Sequence, residues 1–335
     1  MPFVKIAVVG APGLLGHHAA RAVKAAGHQL VLIHRLSSRI ERLAYLGAEC
    51  RAAELLDQRA LTRALQGVDG VIFCAGYYPQ RPRHWQDEVA SALDQTQHFY
   101  NACQAAEVTR IVYVGSAIAL PRHPQGQPGH EGLFYDEMPR SRNVYLLSKW
   151  ALDQQAREQA RAGLPVVIAI PGLCLGELDA GPSSGRLITA IDSGEMRGYV
   201  PGERNLVDAG EAGRGLLLAL EHGRVGERYL ICGENIQMAD LVSRIAERLG
   251  VAEPVELSLN KANGLVAWGK LRHRLTGAWP WLDETAIALM SGSQFLSGRK
   301  AREELGFVAR QSVDDTLQRS IQWFAENGYL RRRPT

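Results

Sequence analysis

The chain has 335 residues, 46% of them hydrophobic, and a formal net charge of +3. That is apolar mass for one large or two modest cores, and a charge balance with no global signature of nucleic-acid or anionic-membrane binding. No apolar run reaches the roughly 18 residues of a membrane-spanning helix, and the N-terminus enters a strand-like run at once, which leaves no room for a signal peptide.

In chain order, Phe3–Val9 reads as a strand, Leu14–Ala26 as a helix and Gln29–His34 as a second strand. A helix over 39–46, a short strand near 48–52, a helix over 57–66 and a strand over 69–74 follow. A long helix spans about 85–106, then a strand Arg110–Gly115, a helix over 143–162 and a strand Pro165–Ile170. Short β-rich runs alternating with longer helical patterns predict an α/β fold, a doubly wound parallel (Rossmann) sheet covered on both faces. After Pro171 the rhythm breaks into a stretch rich in Gly, Pro and Ser, with one helical segment near 184–195. A helix near 208–222 and a strand Glu227–Ile231 return to the sheet, and 233–335 reads as mostly helical. The expected organisation is a nucleotide-binding domain of 1–170 plus about 206–232. A smaller, mostly helical substrate domain of 171–205 plus 233–335 is interleaved with it.

Gly10-Ala11-Pro12-Gly13-Leu14-Leu15-Gly16 stands between the first strand and the first helix. Glycines there let the backbone turn tightly and approach a pyrophosphate, and the helix start offers free N–H groups and a positive dipole end. The second strand ends at His34-Arg35, with Ser38 and Arg39 following and no carboxylate before Glu41. An acidic residue at that place would hold the ribose diol of NAD, whereas an arginine accommodates the 2′-phosphate of NADP, so NADP(H) is favoured over NAD(H).

Tyr145 and Lys149 stand four residues apart at the start of a predicted helix. They therefore share one face, where a cation favours a phenolate that can exchange a proton with substrate. Ser116 ends the fifth strand, at the carboxyl edge of the sheet where ligands bind in such folds. The five cysteines, Cys50, Cys74, Cys103, Cys174 and Cys232, form no Cys-x-x-Cys and no metal spacing with histidine. They read as buried free thiols of a cytoplasmic protein, with no metal. His17 and His18 read as packing or surface residues. Trp268, Trp279 and Trp281 read as core packing of the C-terminal region. The stretch between Ser116 and Tyr145, rich in Pro and Gly, reads as a loop capping the site, a lid that orders on substrate binding.

Together, the glycine loop, Ser116 and Tyr145-x-x-x-Lys149 resemble the extended short-chain dehydrogenase/reductases. Asp136-Glu137-Met138-Pro139, the loop Pro171–Gly176 and the ending from Ser297 to Tyr329 fit the same family over nearly the whole chain. The stretches around Ser184–Ile188, Asn205–Val207 and Gly226–Asn235 are most similar to the branch of dihydroflavonol reductases and hopanoid-associated sugar epimerases. Departures lie at Glu54-Leu55, where relatives carry Asp-Leu, at Ala92 in place of Asn, and at Asp208–Glu211 in place of a His-Val-Asp-Asp run. The resemblance implies that Tyr145 moves the proton with help from Lys149 and Ser116. It implies a cofactor site of Gly10, Gly13, Leu14, Leu15, Gly16, Arg35, Glu54, Leu55, Cys74, Ala75, Gly76, Tyr145, Lys149, Pro171 and Leu173. Arg186, Asn205 and Arg299 are the candidate substrate residues, the arginines as bidentate phosphate clamps. The leading expectation is a nucleoside-diphosphate-sugar epimerase, a small-molecule enzyme and a homodimer through its two long helices. An NADPH-dependent ketone or aldehyde reductase is the alternative, and a non-catalytic NADP-binding regulatory protein a third.

Overall fold

The computed structural model describes residues 4–77, 84–141, 143–276 and 292–331, with Leu282, Ala286, Ile287 and Met290. Its first half alternates β1 (Lys5–Val9), α1 (Leu14–Ala25), β2 (Gln29–His34), β3 (Glu49–Ala52), α2 (Gln58–Leu65), β4 (Gly70–Phe73), α3 (Trp85–Ala105), β5 (Arg110–Val114), α4 (Val144–Arg161) and β6 (Val166–Pro171). Then come β7 (Leu173–Leu175), α5 (Arg186–Asp192), β8 (Gly198–Tyr199), β9 (Glu203–Asp208), α6 (Ala209–His222), β10 (Arg228–Ile231), β11 (Glu234–Gln237), α7 (Met238–Leu249), β12 (Val255–Glu256), α8 (Leu259–Thr276), α9 (Arg299–Leu305) and α10 (Val313–Glu326).

Seven strands form one parallel sheet in the order β10-β6-β5-β4-β1-β2-β3. The inner strands β4 and β6 are buried along their whole length, as expected of strands covered on both faces. One core, including Phe73, Phe99 and Tyr100, fills the face under α2, α3 and α4, and a second, including Ile6, Leu32 and Ile72, lies under α1 and α6. Helix starts are set by side-chain caps: Asp57 accepts from the Ala60 amide, Asn143 from Leu146, and Ser312 from Asp315.

The predicted elements of the first half match closely. The segment read as a helix over 39–46 is a 3-10 turn, Glu41–Leu46. The region after 233 is less helical than expected. β11 pairs antiparallel with β9, which pairs in parallel with β7, to make a second, three-stranded sheet. β11 is too short and too polar (Glu234, Asn235, Ile236, Gln237) to show a strand period in sequence.

The proline- and glycine-rich segment before α4 is tied down at both ends. Gly129 exchanges backbone hydrogen bonds with Phe295 and Ser297, and Gln294 donates to the Pro121 carbonyl. The buried Arg228 guanidinium donates to the carbonyls of Glu131 and Leu133 and bonds Asp153 of α4 at 3.2 Å. The Phe134 ring lies between Arg157 and Arg228, 3.9 Å and 3.7 Å from their guanidinium carbons. These bonds make an anchored strap of the segment that the sequence suggested as a lid over the site. Both partners of the Arg228–Asp153 pair are almost wholly excluded from water. Removing one leaves an uncompensated buried charge, so Arg228→Ala should cost about 3–5 kcal/mol of stability, measured by denaturant unfolding, and should open the strap to limited proteolysis.

Candidate active site

A cleft of about 900 Å³ opens at the carboxyl ends of β1, β2 and β4, where the strand order reverses. Its floor is the glycine loop. Gly10 has φ +85°, and a methyl group there would come within 2.8 Å of the Ala75 nitrogen; one at Gly16 would come within 2.2 Å of the Gly10 carbonyl oxygen. Gly13 is different, because the nearest atom to such a methyl would be 3.5 Å away. Gly10 and Gly16 serve close packing, and Gly13 leaves the loop open towards the cleft. Gly13 is also the N-cap of α1, which has no side-chain cap and no acidic residue in its first turn. The early amides of the helix, from Leu14 onward, are therefore donors not taken up by a capping side chain, at the positive end of the helix dipole. These features fit the pyrophosphate of a dinucleotide.

Arg35 and Ser38 line the far end of the cleft with Glu54 and Leu55. Arg35 is exposed, and the Glu54 carboxylate is turned onto the Leu36 amide at 3.1 Å. Cys74, Ala75 and Gly76 line the opposite side. Burial pushes the Cys74 thiol up to about 12, which keeps it protonated and unreactive. Tyr77, Glu88, Ser91 and Gln95 also line the cleft. Glu88 is buried and accepts a short hydrogen bond from the Tyr77 hydroxyl. The sequence reading did not include this pair, since a glutamate in the first turn of a long helix reads as a dipole partner.

Tyr145 and Lys149 lie on one face of α4, as their spacing requires, and both are buried. Lys149 Nζ stands 5.4 Å from the Tyr145 ring centre, and a methyl group at Gly76 would meet it at 3.2 Å. The ammonium thus reaches the wall of the dinucleotide cleft. Ser116 stands immediately before the 3-10 turn Ala117–Ala119, against which α4 packs, and its side chain makes no capping bond there. Burial lowers Lys149 from its usual value to about 8.

Residues 6–232 match the NAD dependent epimerase/dehydratase family. The chain belongs to that family. It is an NAD(P)-dependent enzyme of the extended short-chain dehydrogenase/reductase type. A solved structure described as a nucleoside-diphosphate-sugar epimerase from Pseudomonas aeruginosa is 60% identical, with a TM-score of 0.87 over 98% of this chain and 99% of that one. Sterol demethylase protein B of Methylococcus capsulatus is 27% identical over 96% of this chain and 99% of its own. A 2-alkyl-3-oxoalkanoate reductase of Stenotrophomonas maltophilia is 26% identical over 94% and 98%.

In this family member the three sequence-chosen substrate residues lie outside the cleft lining. Arg186 is exposed and paired with Glu195 at 2.7 Å. Arg299 is exposed on α9. Asn205 is buried, but its amide ties β9 to the β11 segment through Gly233 and Asn235. Pro171 and Leu173 lie at the end of β6 and the start of β7, outside that lining as well. Arg204, also outside that lining, is a further buried cation. Its guanidinium is buried and hydrogen-bonds two carbonyls, of Glu203 and Met290; no carboxylate bonds it among the described residues. Burial and the nearby Arg122 lower it to about 10. It is the immediate neighbour of Asn205 in sequence and so lies on the opposite face of β9.

Other sequence expectations divide. Cys50 is exposed and Cys74 partly so, while Cys103, Cys174 and Cys232 are buried. His17 and His18 are buried packing residues bonded to the Tyr45 hydroxyl and the Glu177 carbonyl, and no metal-binding cluster occurs among the described residues. Trp268 is 62% exposed instead of packed in a core, and Trp279 and Trp281 lie outside the described residues. No helix of the described residues is long and apolar enough to cross a membrane.

The lowered Lys149 has a stability signature. Folding stability rises with pH where the unfolded state binds more protons. Lys149 is protonated in both states below about pH 8, where the folded protein carries the full desolvation penalty; the penalty is relieved between about 8 and 10.5. Lys149→Met should therefore stabilise the cofactor-free protein near pH 7, by up to about 3 kcal/mol. That advantage should shrink as the pH approaches 10.5, the usual lysine value, in denaturant unfolding.

Proposed function

We propose that the chain is a nucleoside-diphosphate-sugar epimerase. The observation that carries the reading is the 60% identity, over almost the full length of both chains, to a structure described by that activity. The dinucleotide would lie along Gly10, Gly13 and the start of α1, with its adenosine end towards Arg35 and its nicotinamide end towards Lys149. When bound, it supplies reversible hydride acceptance. Tyr145 takes the proton of a sugar hydroxyl as the carbon beneath it is oxidised and returns the proton when the rotated keto sugar is reduced on its other face. The Lys149 ammonium favours the phenolate and holds the cofactor ribose, and Ser116 hydrogen-bonds the reacting oxygen.

Arg204 supports the diphosphate half of this reading. A buried guanidinium bonded only to carbonyls, with a second arginine close by, is a poor arrangement without an anion and a good one with two phosphates. Arg35 and Ser38 at the adenosine end support NADP(H) over NAD(H). The same reading includes the domain division at about 170, 206 and 232, a cytoplasmic location, and a homodimer through α3 and α4.

Arg35 also favours a second reading, a carbonyl reductase drawing on NADPH, in keeping with the reductase among the relatives. Release and analysis of the cofactor from purified protein separates the two. Tightly held oxidised cofactor and interconversion of nucleotide-sugar epimers support the epimerase. An empty site that takes NADPH far better than NADH, with turnover only on free ketones, overturns it. Tyr145→Phe should lower turnover by about 10²–10⁴-fold while dinucleotide binding persists. Arg204→Met should weaken uridine diphosphate binding by at least about tenfold in calorimetry, with Arg204→Lys partly restoring it.

A further inference from the structure

α8 carries apolar residues on two faces. Ala262 and Val266 are buried against a small core with Val200, Leu282 and Ile287. On the outer side Leu265, Trp268, Leu271 and Leu275 are spaced at i, i+3, i+6 and i+10, which places them in one stripe along the helix. They are exposed by 38, 62, 48 and 76%. With Leu259, five of the thirteen large exposed hydrophobic residues among those described fall on this one helix. Scattered exposed leucines need no explanation, but an aligned row centred on a tryptophan does.

The charges of the helix are equally one-sided. Leu259–Thr276 contains Lys261, Lys270, Arg272 and Arg274 and no carboxylate. Helical geometry puts Lys261 and Arg272 on the same outer face, between Leu265 and Trp268, and Arg274 beyond Leu271. Such a face suits an interfacial helix: leucines and a tryptophan enter the boundary between acyl chains and headgroups, and the long cationic side chains among and beside them reach up to the headgroups.

We propose that α8 docks this enzyme on an anionic lipid surface, lying in the headgroup plane without spanning the bilayer. Charge complementarity selects this occupant over a second copy of the chain. Two such helices face to face would bring cations together with no carboxylate of their own to meet them. The proposal concerns where the enzyme sits and is independent of the sugar or ketone it acts on.

The test is flotation of the full-length protein with vesicles of phosphatidylcholine alone and of phosphatidylcholine with phosphatidylglycerol. Binding is expected to the anionic vesicles only and to weaken with added salt. The combined variant Trp268→Ser, Leu271→Ser, Leu275→Ser should reduce it at least about tenfold, as should Lys261→Glu with Arg272→Glu and Arg274→Glu. All six side chains are exposed, so an unchanged melting temperature confirms that each variant folds. Absence of binding to anionic vesicles, or equal binding by the variants, overturns the proposal. A dimer that the serine variant converts to monomer, with no vesicle binding by the intact protein, overturns it in favour of self-association.

Discussion

The cleft exists because two stretches of backbone touch where no side chain can stand. A Cβ at Gly16 would lie 2.2 Å from the Gly10 carbonyl, and one at Gly10 would lie 2.8 Å from the Ala75 nitrogen. Those contacts bring β1, the start of α1 and the end of β4 together, so that uncapped amides, an open Gly13 and the Cys74–Gly76 wall share one cleft. A third approach sustains it from behind. Gly213 of α6 sits against the backbone of His18 and Ala19, which seats α1 on the sheet. The cleft is thus a property of backbone packing first, and of side chains second.

Buried charge sorts the rest of the molecule into structural and chemical parts. Arg228 meets a carboxylate and two carbonyls within the protein and holds the strap against α4. Lys149 and Arg204 are also withdrawn from water, but among the described residues they meet only a ring and two carbonyls. A protein that keeps a cation dry without a counter-charge loses stability, and the loss is recovered when an anionic or polar ligand arrives. Lowered values of about 8 and about 10 express that tension. The compensated arginine builds, and the uncompensated cations are the ones the proposed function calls on.

Sequence revealed the features that depend on local order. Seven strands and their helices follow from hydrophobic period and capping residues, and the glycine loop and the four-residue step from Tyr145 to Lys149 are readable because spacing alone sets their geometry. Arg204 was not readable, since a Glu-Arg-Asn run at the start of a strand gives no sign that its middle member is buried. Arg186 and Arg299 were chosen on residue type, and type cannot tell a clamp from a solvated ion pair such as Arg186–Glu195. The anchoring of the strap was hidden for a related reason. Proline and glycine announce an irregular segment, but its anchors at Arg228, Gln294 and Phe295 come from about 100 to 170 residues further along the chain.

Net charge conceals α8 in the same way. The chain totals +3, which argues against a global attraction to anionic surfaces. Yet four cations and no carboxylate fall on the 18 residues of α8 alone, so the remainder of the molecule is close to neutral. Surface potentials act over about a Debye length, roughly 8–10 Å in physiological salt, which is shorter than this helix. A membrane would therefore feel the helix and not the average. The apolar stripe beside those charges decides between simple attraction and insertion, because screening by salt weakens the first and leaves the hydrophobic contribution of Trp268 and its leucine neighbours in place.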